Sequence, residues 1–256
     1  MNVTLDKVAG GFQFLEGPVW MAARGELLFS DIPADRIYRL RDGTVSVFRE
    51  PSHQANGNTL DPQGRLVTCE HQTRRVTRTE PDGMVVPLAT HFEGRRLNSP
   101  NDVVCARDGA IYFSDPPYAV QPEDRELDFQ GVFCWRAGTL TCLARDFLKP
   151  NGLCFSPDES RLYIADTEAG HIRVGDRVFC KVERPDGIRC DRAGNLYVAA
   201  MKAVEIFDPT GRKTGEIRLP ERPANLAFGD ADRRTLYLCA RTSLYRARVP
   251  IAGAGF

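Results

Sequence analysis

Residues 149–166 read KPNGLCFSPDESRLYIAD, and residues 184–200 read RPDGIRCDRAGNLYVAA. The two stretches share a layout: Pro, then Asn or Asp, Gly, a short apolar run, a charged turn, then Leu-Tyr and more apolar residues. The layout occurs six times in the 256 residues. The other copies are EGPVWMAARGELLFSD from Glu16, NGNTLDPQGRLVTCE from Asn56, NDVVCARDGAIYFSD from Asn101 and NLAFGDADRRTLYLCA from Asn225. Successive starts lie 40, 45, 50, 35 and 39 residues apart. Self-similarity at such a period marks a repeat architecture.

In each copy a second apolar run follows the turn, beginning at Leu27, Leu66, Ile111, Leu162, Leu196 and Leu236. Two short apolar runs joined by an Asp-, Gly- and Pro-rich turn read as a β-hairpin. Segments such as RIYRL, GVFCWRA and VEIFDPTG extend most copies to three or four strands. No stretch of ten or more residues carries a 3.6-residue apolar period, so little helix is expected. Four strands every 40 or so residues predict an all-β chain. The fold expected is a six-bladed β-propeller, with four-stranded antiparallel blades around a central channel and residues 1–256 forming one domain.

The ends fit ring closure. SLYRARVP supplies a third strand to the last blade, and NVTLDKVAG near the start supplies its outer strand. The shortest copy, Asn151 to Asp186, leaves little room after His171-Ile-Arg-Val for an outer strand, so that blade is expected to be trimmed. The longest copy contains PPYAVQPEDRELDFQ, an acidic insertion with the length of a lid or binding loop.

Lys plus Arg and Asp plus Glu both number 34, which gives no basic footprint for nucleic acid. Apolar residues make up 42% and charged residues 27%, as in an ordinary soluble domain. The first residues lack a basic segment followed by a long apolar one, so no signal peptide is expected. No stretch has the length of a membrane span. Eight irregularly spaced cysteines without a C-x-x-C, several inside apolar runs, read as reduced core thiols of a cytoplasmic protein. No G-x-S-x-G elbow, P-loop or G-x-G-x-x-G is present.

In a propeller the first strand of each blade lines the channel. The first residues of the six copies, Glu16, Asn56, Asn101, Asn151, Asp186 and Asn225, are therefore expected to meet at one mouth. Asn and Asp before Gly also form turns by bonding their own backbone, which accounts for any single copy. It accounts less well for Glu16, which precedes Gly-Pro. Two carboxylates converging with amides repel unless a cation lies between them. Oxygen-only ligands suit a hard ion such as Ca²⁺, Mg²⁺ or Mn²⁺.

The stretches FLEGPVW, LLFSDIPADRIYRL, TCEHQTRRVTR, RLNSPNDVV, SDPPY, ELDFQGV, PNGLCFSPDE, RPDGI and ANLAFG together resemble the SMP-30/gluconolactonase family of six-bladed propellers, nearly end to end. The resemblance implies one divalent cation held by Glu16, Asn151 and Asp186 and completed by Asn101. Ca²⁺ is the ion expected, although Zn²⁺, Mn²⁺, Mg²⁺ or Fe²⁺ suit the same ligands. It also implies hydrolysis of a small sugar lactone, with Asp186 and Asn101 catalytic. A related branch hydrolyses organophosphates. Substrate contacts are expected from Asn101, Ser99, His71, Tyr118 and Asn56. Glu70 and Asp115 are further pocket candidates, while Asp166 reads as structural. Ser99 stands where some members have an arginine, the segment after His171-Ile-Arg-Val is short, and His53 and Asn58 flank Ala-Asn-Gly unusually. The competing readings are an organophosphate or other ester hydrolase, a biosynthetic enzyme on the same metal propeller, and a non-catalytic binding scaffold. A monomer is expected, because a closed ring leaves no long sheet edge.

Overall fold

The computed structural model describes residues 3–255 and is built of six four-stranded antiparallel sheets, the blades of a six-bladed β-propeller. Blade 1 runs through Leu15–Met21, Glu26–Asp31, Arg36–Arg41 and Thr44–Arg49. Blade 2 uses Ala55–Leu60, Leu66–Glu70, Arg75–Thr79 and Val85–Ala89. Blade 3 uses Val103–Cys105, Ile111–Asp115, Gly131–Arg136 and Thr139–Ala144. Blade 4 uses Pro150–Phe155, Leu162–Asp166, His171–Val174 and Arg177–Lys181, and blade 5 uses Ile188–Cys190, Leu196–Ala199, Ala203–Phe207 and Lys213–Arg218. In each of these the chain steps from the channel outwards.

Blade 6 is built from both ends of the chain. Asn225–Gly229, Thr235–Ala240 and Ser243–Arg248 form its inner three strands, and Leu5–Gly10 adds the outermost, pairing Leu5 with Ala247. The blade 4 expectation is corrected. That blade has a full outer strand, because Val174 pairs directly with Arg177 across the two-residue turn Gly175-Asp176. The copy is short because its turn is tight.

The hairpin turns form for the reason the sequence suggests. Asp61 Oδ1 accepts from the Gln63 and Arg65 amides at 3.0 and 2.9 Å, and Asp191 Oδ1 accepts from Ala193 and Asn195 at 2.9 Å each. These side chains replace a backbone acceptor at the bend. In the second of these turns Gly194 takes φ +83°, a region costly for other residues.

Apolar faces of neighbouring blades meet to make the core. Between blades 5 and 6, Tyr197, Val204, Ile206, Leu226, Phe228, Leu238 and Tyr245 form one buried cluster. Each such side chain contributes about 1.5–3 kcal/mol on leaving water. All eight cysteines are free thiols, seven of them buried. Burial holds the thiols of Cys69, Cys154 and Cys239 well above their ordinary range, which disfavours a nucleophilic role.

The second strands end in a recurring cap. Asp31 accepts from the Gln13 and Phe14 amides at 3.0 Å each. Asp166 accepts from Leu148 and Lys149 at 2.9 Å each, and Asp115 accepts from Asn98 at 2.7 Å. Each carboxylate fixes the loop that delivers its own blade's inner strand to the mouth. Asp166 is structural, as expected, and Asp115 has the same task.

The insertion at 116–130 carries a short 3-10 turn, Pro122–Asp124. Arg74 pins it: its Nη1 donates to Asp124 O at 3.1 Å, while its Nε donates to Leu97 O and Asn98 O at 2.7 and 3.0 Å. Among the described residues, no helix is long and apolar enough to cross a membrane.

Candidate active site at the channel mouth

The six repeat-start residues lie at the entry to the inner strands, and three of those strands are bulged there. The pairing skips between Glu16 and Val19, between Ala55 and Asn58, and between Pro150 and Leu153. A bulge re-aims the side chain at the irregularity, here towards the channel. The strands also approach closely. A Cβ on Gly152 would stand 2.4 Å from Asp186 O, so glycine lets blade 4 press against blade 5. Gly57 N donates to Asn101 O at 2.8 Å, joining blade 2 to blade 3.

The side chains form a nearly continuous chain of contacts around the mouth. Asn56 Nδ2 donates to Asn101 Oδ1 at 2.7 Å, and Asn101 Nδ2 donates to Asn151 Oδ1 at 2.7 Å. Asn151 lies against Asp186, and Asn225 Nδ2 donates to Glu16 Oε2 at 2.9 Å. Glu16, Asn56, Asn101, Asn151 and Asn225 are all buried; Asp186 is partly exposed. Asn56 Oδ1 is buried with no hydrogen-bond partner.

A third carboxylate joins the two foreseen. Asp102 stands where four other copies have glycine (Gly17, Gly57, Gly152 and Gly187), and it is almost fully buried. Its Oδ2 lies 3.5 Å from Asn225 Nδ2 and 3.8 Å from Arg189 Nη1. Below it the channel narrows to a cavity of about 50 Å³ that includes Val19, Thr59, Val104, Phe155, Arg189 and Phe228 in its wall. Neither Asp102 nor Arg189 was foreseen. The signal available was a carboxylate in the glycine position of the repeat.

The three acids share one electrostatic problem. Burial first, then the charges of Asp186 and Asp102, holds the Glu16 carboxyl well above its ordinary range. Burial pushes Asp186 up to about 7, with Arg222 pulling it down and Asp102 pushing it up. Burial also raises Asp102, against the pull of Arg189. Anions with this much repulsion, with the Asn151 amide against Asp186, fit a hard divalent cation. Among the described residues no three His, Cys, Asp or Glu side chains gather as an ion site by themselves; amide oxygens would complete the set.

The expected substrate residues separate. Tyr118, from the insertion, receives a hydrogen bond from Asn151 Nδ2 at 3.1 Å and stacks on His71 at 6.5 Å between ring centroids. His71 Nε2 lies 3.1 Å from Asn56 Nδ2, and burial draws the imidazole down to about 4, so it is neutral near pH 7. Ser99 is fully buried, and its hydroxyl reaches no solvent. Glu70 does not line the mouth. It binds Arg49 and Arg75 at 3.1 and 2.7 Å, tying blade 1 to blade 2. Asn58 is also structural, its Nδ2 donating to Gly17 O at 2.9 Å and to Ser30 Oγ at 2.8 Å. Thr167, unforeseen, accepts from Asn151 Nδ2 at 3.0 Å and donates to Pro185 O at 2.7 Å, fixing Asn151 beside the Asp186 loop.

Residues 14–242 match the family model described as the SMP-30/Gluconolactonase/LRE-like region. The chain is 29% identical to a gluconolactonase of Zymomonas mobilis, over 99% of this chain and 83% of that protein. It is 28% identical to a 6-deoxy-6-sulfogluconolactonase of Pseudomonas putida, over 100% of this chain and 94% of the relative. A solved gluconolactonase from Xanthomonas campestris superposes with a TM-score of 0.90 at 35% identity, covering 97% of this chain and 90% of its own.

Proposed function

The chain belongs to the SMP-30/gluconolactonase/LRE-like family, and from that premise we propose that it is a lactone hydrolase opening a small sugar lactone to the free acid, with one divalent cation at the channel mouth. The observation that carries the reading is the convergence of Glu16, Asp186 and Asp102 with the Asn101 and Asn151 amides on one mouth. Glu16, Asn151 and Asp186 would hold the ion, and Asn101 would complete the set. Ca²⁺ suits this all-oxygen set. When bound, the cation supplies Lewis acidity that polarises a carbonyl oxygen and acidifies water.

The remaining chemistry belongs to the side chains. Asp186, at the mouth beside Asn151, takes the proton of the attacking water. The water oxygen bonds to the carbonyl carbon, the ring C–O bond breaks, and Asp186 returns its proton to the ring oxygen, which leaves as a hydroxyl. Asn101 Nδ2 donates to the carbonyl oxygen as it gains charge. Neutral His71 holds Asn56 in place, and Tyr118 stands at the mouth against Asn151.

A panel of γ- and δ-lactones followed by pH-stat, with and without chelator, tests the proposal. Acid release from an aldonolactone that chelator abolishes and Ca²⁺ restores is expected. No release from any lactone, or release indifferent to chelator, would overturn it.

A further inference from the structure

Arg184 and Arg222, from the loops leading to blades 5 and 6, both act on Asp186. The Arg222 side chain is 31% exposed, and its Nη2 makes one long contact, 3.4 Å, to Asp186 Oδ2. Its Nε is buried with no acceptor. The adjacent carboxylate does not serve it. Glu221 Oε2 accepts from the Thr242 amide and hydroxyl at 2.9 and 2.8 Å, and its Oε1 accepts from Tyr245 OH at 3.0 Å. The nearby Glu183 faces Lys202 at 3.9 Å. The outer Nη1/Nη2 fork of a planar guanidinium, its Nε buried, therefore stands beside the proposed base on a partly exposed side chain with one long contact. That fork matches a two-oxygen anion. One long contact from Nη2 to Asp186 leaves most of the donor capacity of that outer fork unused.

We infer that Arg222, backed by Arg184, forms an anion subsite of the active site, so that the preferred lactone bears a carboxylate, sulfonate or phosphate on a carbon away from the one attacked. This rests on the lactone-hydrolase reading and narrows its substrate class. Asp186 and Arg222 then divide one substrate between them: the reacting carbonyl faces the acid, and the charged substituent faces the guanidinium.

The test compares kcat/KM for a neutral aldonolactone and for the same skeleton bearing a terminal carboxylate, sulfonate or phosphate. It uses wild type, Arg222→Gln and Arg222→Lys, each at low and raised ionic strength. At least one charged lactone is expected to exceed the neutral parent by about ten-fold or more, the range of one hydrogen bond to a charged group, chiefly through KM. Arg222→Gln brings that ratio close to one, Arg222→Lys keeps an intermediate value, and salt raises KM for the charged lactone more than for the neutral one. A ratio that is the same in wild type and Arg222→Gln overturns the inference, and an equal loss on both substrates shows that Arg222 serves only Asp186. Turnover of the neutral lactone with no charged preference sinks the subsite and leaves the hydrolase reading standing. If no lactone is opened at all, the hydrolase reading fails and the subsite falls with it.

Discussion

Asp102 Oδ2 and Arg189 Nη1 stand 3.8 Å apart inside the channel, one from blade 3 and the other from blade 5. The carboxylate is 2% exposed and the arginine 20%, so an ion pair spans the ring beneath the mouth with little water to screen it. Arg189 also donates to Ile188 O at 2.7 Å, which fixes its direction. The pair leaves Glu16 and Asp186 as the acids at the mouth without a comparably buried partner of their own.

Removing only one member strands the other. Arg189→Met is expected to cost about 3–5 kcal/mol in urea unfolding, the usual result of leaving a buried charge alone. Adding Asp102→Asn to it should recover part of that loss. A single variant as stable as the wild type would show that the pair contributes nothing.

Glu16→Gln and Asp186→Asn are expected to remove most hydrolysis and to lower bound Ca²⁺ measured by elemental analysis of the purified protein. Asn101→Ala should reduce kcat by about 10²–10³, the effect of losing one donor to a developing oxyanion. Near-normal turnover in any of the three refutes the role given to that residue.

Tyr118→Phe removes the hydroxyl that accepts from Asn151 at 3.1 Å and also interacts with Thr167. A net value of about 0.5–1.5 kcal/mol predicts a fall of about 2- to 13-fold in kcat/KM. Tyr118→Ala should fall further, because the ring over His71 goes too. Steady-state kinetics on one aldonolactone decides both, and an unchanged Phe variant would place Tyr118 outside the site.

Burial pushes the Asp115 carboxyl up to about 7, against the pull of the Asn98 and Ser99 amides. Its unfolded pKa is near 3.9. Between these values the folded state binds more proton than the unfolded, so this group's contribution to stability falls as pH rises from about 4 to about 7. Asp115→Asn is expected to flatten that part of the profile, read from urea midpoints at pH 5, 6, 7 and 8. A parallel profile in the variant would contradict the assignment.

Much of the architecture was legible because the repeat is written in residues that act locally. Asp61 and Asp191 bend their own hairpins, so a turn signal in the chain became a turn in space. Glu16, Asn151 and Asp186 could be placed at one mouth because symmetry carries equivalent positions to equivalent places. What was missed depends on exceptions to the repeat or on long-range contact. The outer strand of blade 4 was hidden by a two-residue turn that saves length. Asp102 was hidden because its neighbour Asn101 filled the expected role. Glu70 looked like a site residue until its partners Arg49 and Arg75, from either side in the chain, were seen together. Arg222 carries no motif, and its significance lies in Glu221 being turned away.

The sharing of blade 6 between Leu5–Gly10 and Ser243–Arg248 acts as a clasp. While the chain is being synthesised, five blades can be complete and the annulus still gape, because the buckle needs a strand made after all of them. Bringing such distant segments together is slow compared with forming any single hairpin. A protease cut that freed either half of the clasp would loosen the ring at the blade that brings Asn225 to the mouth.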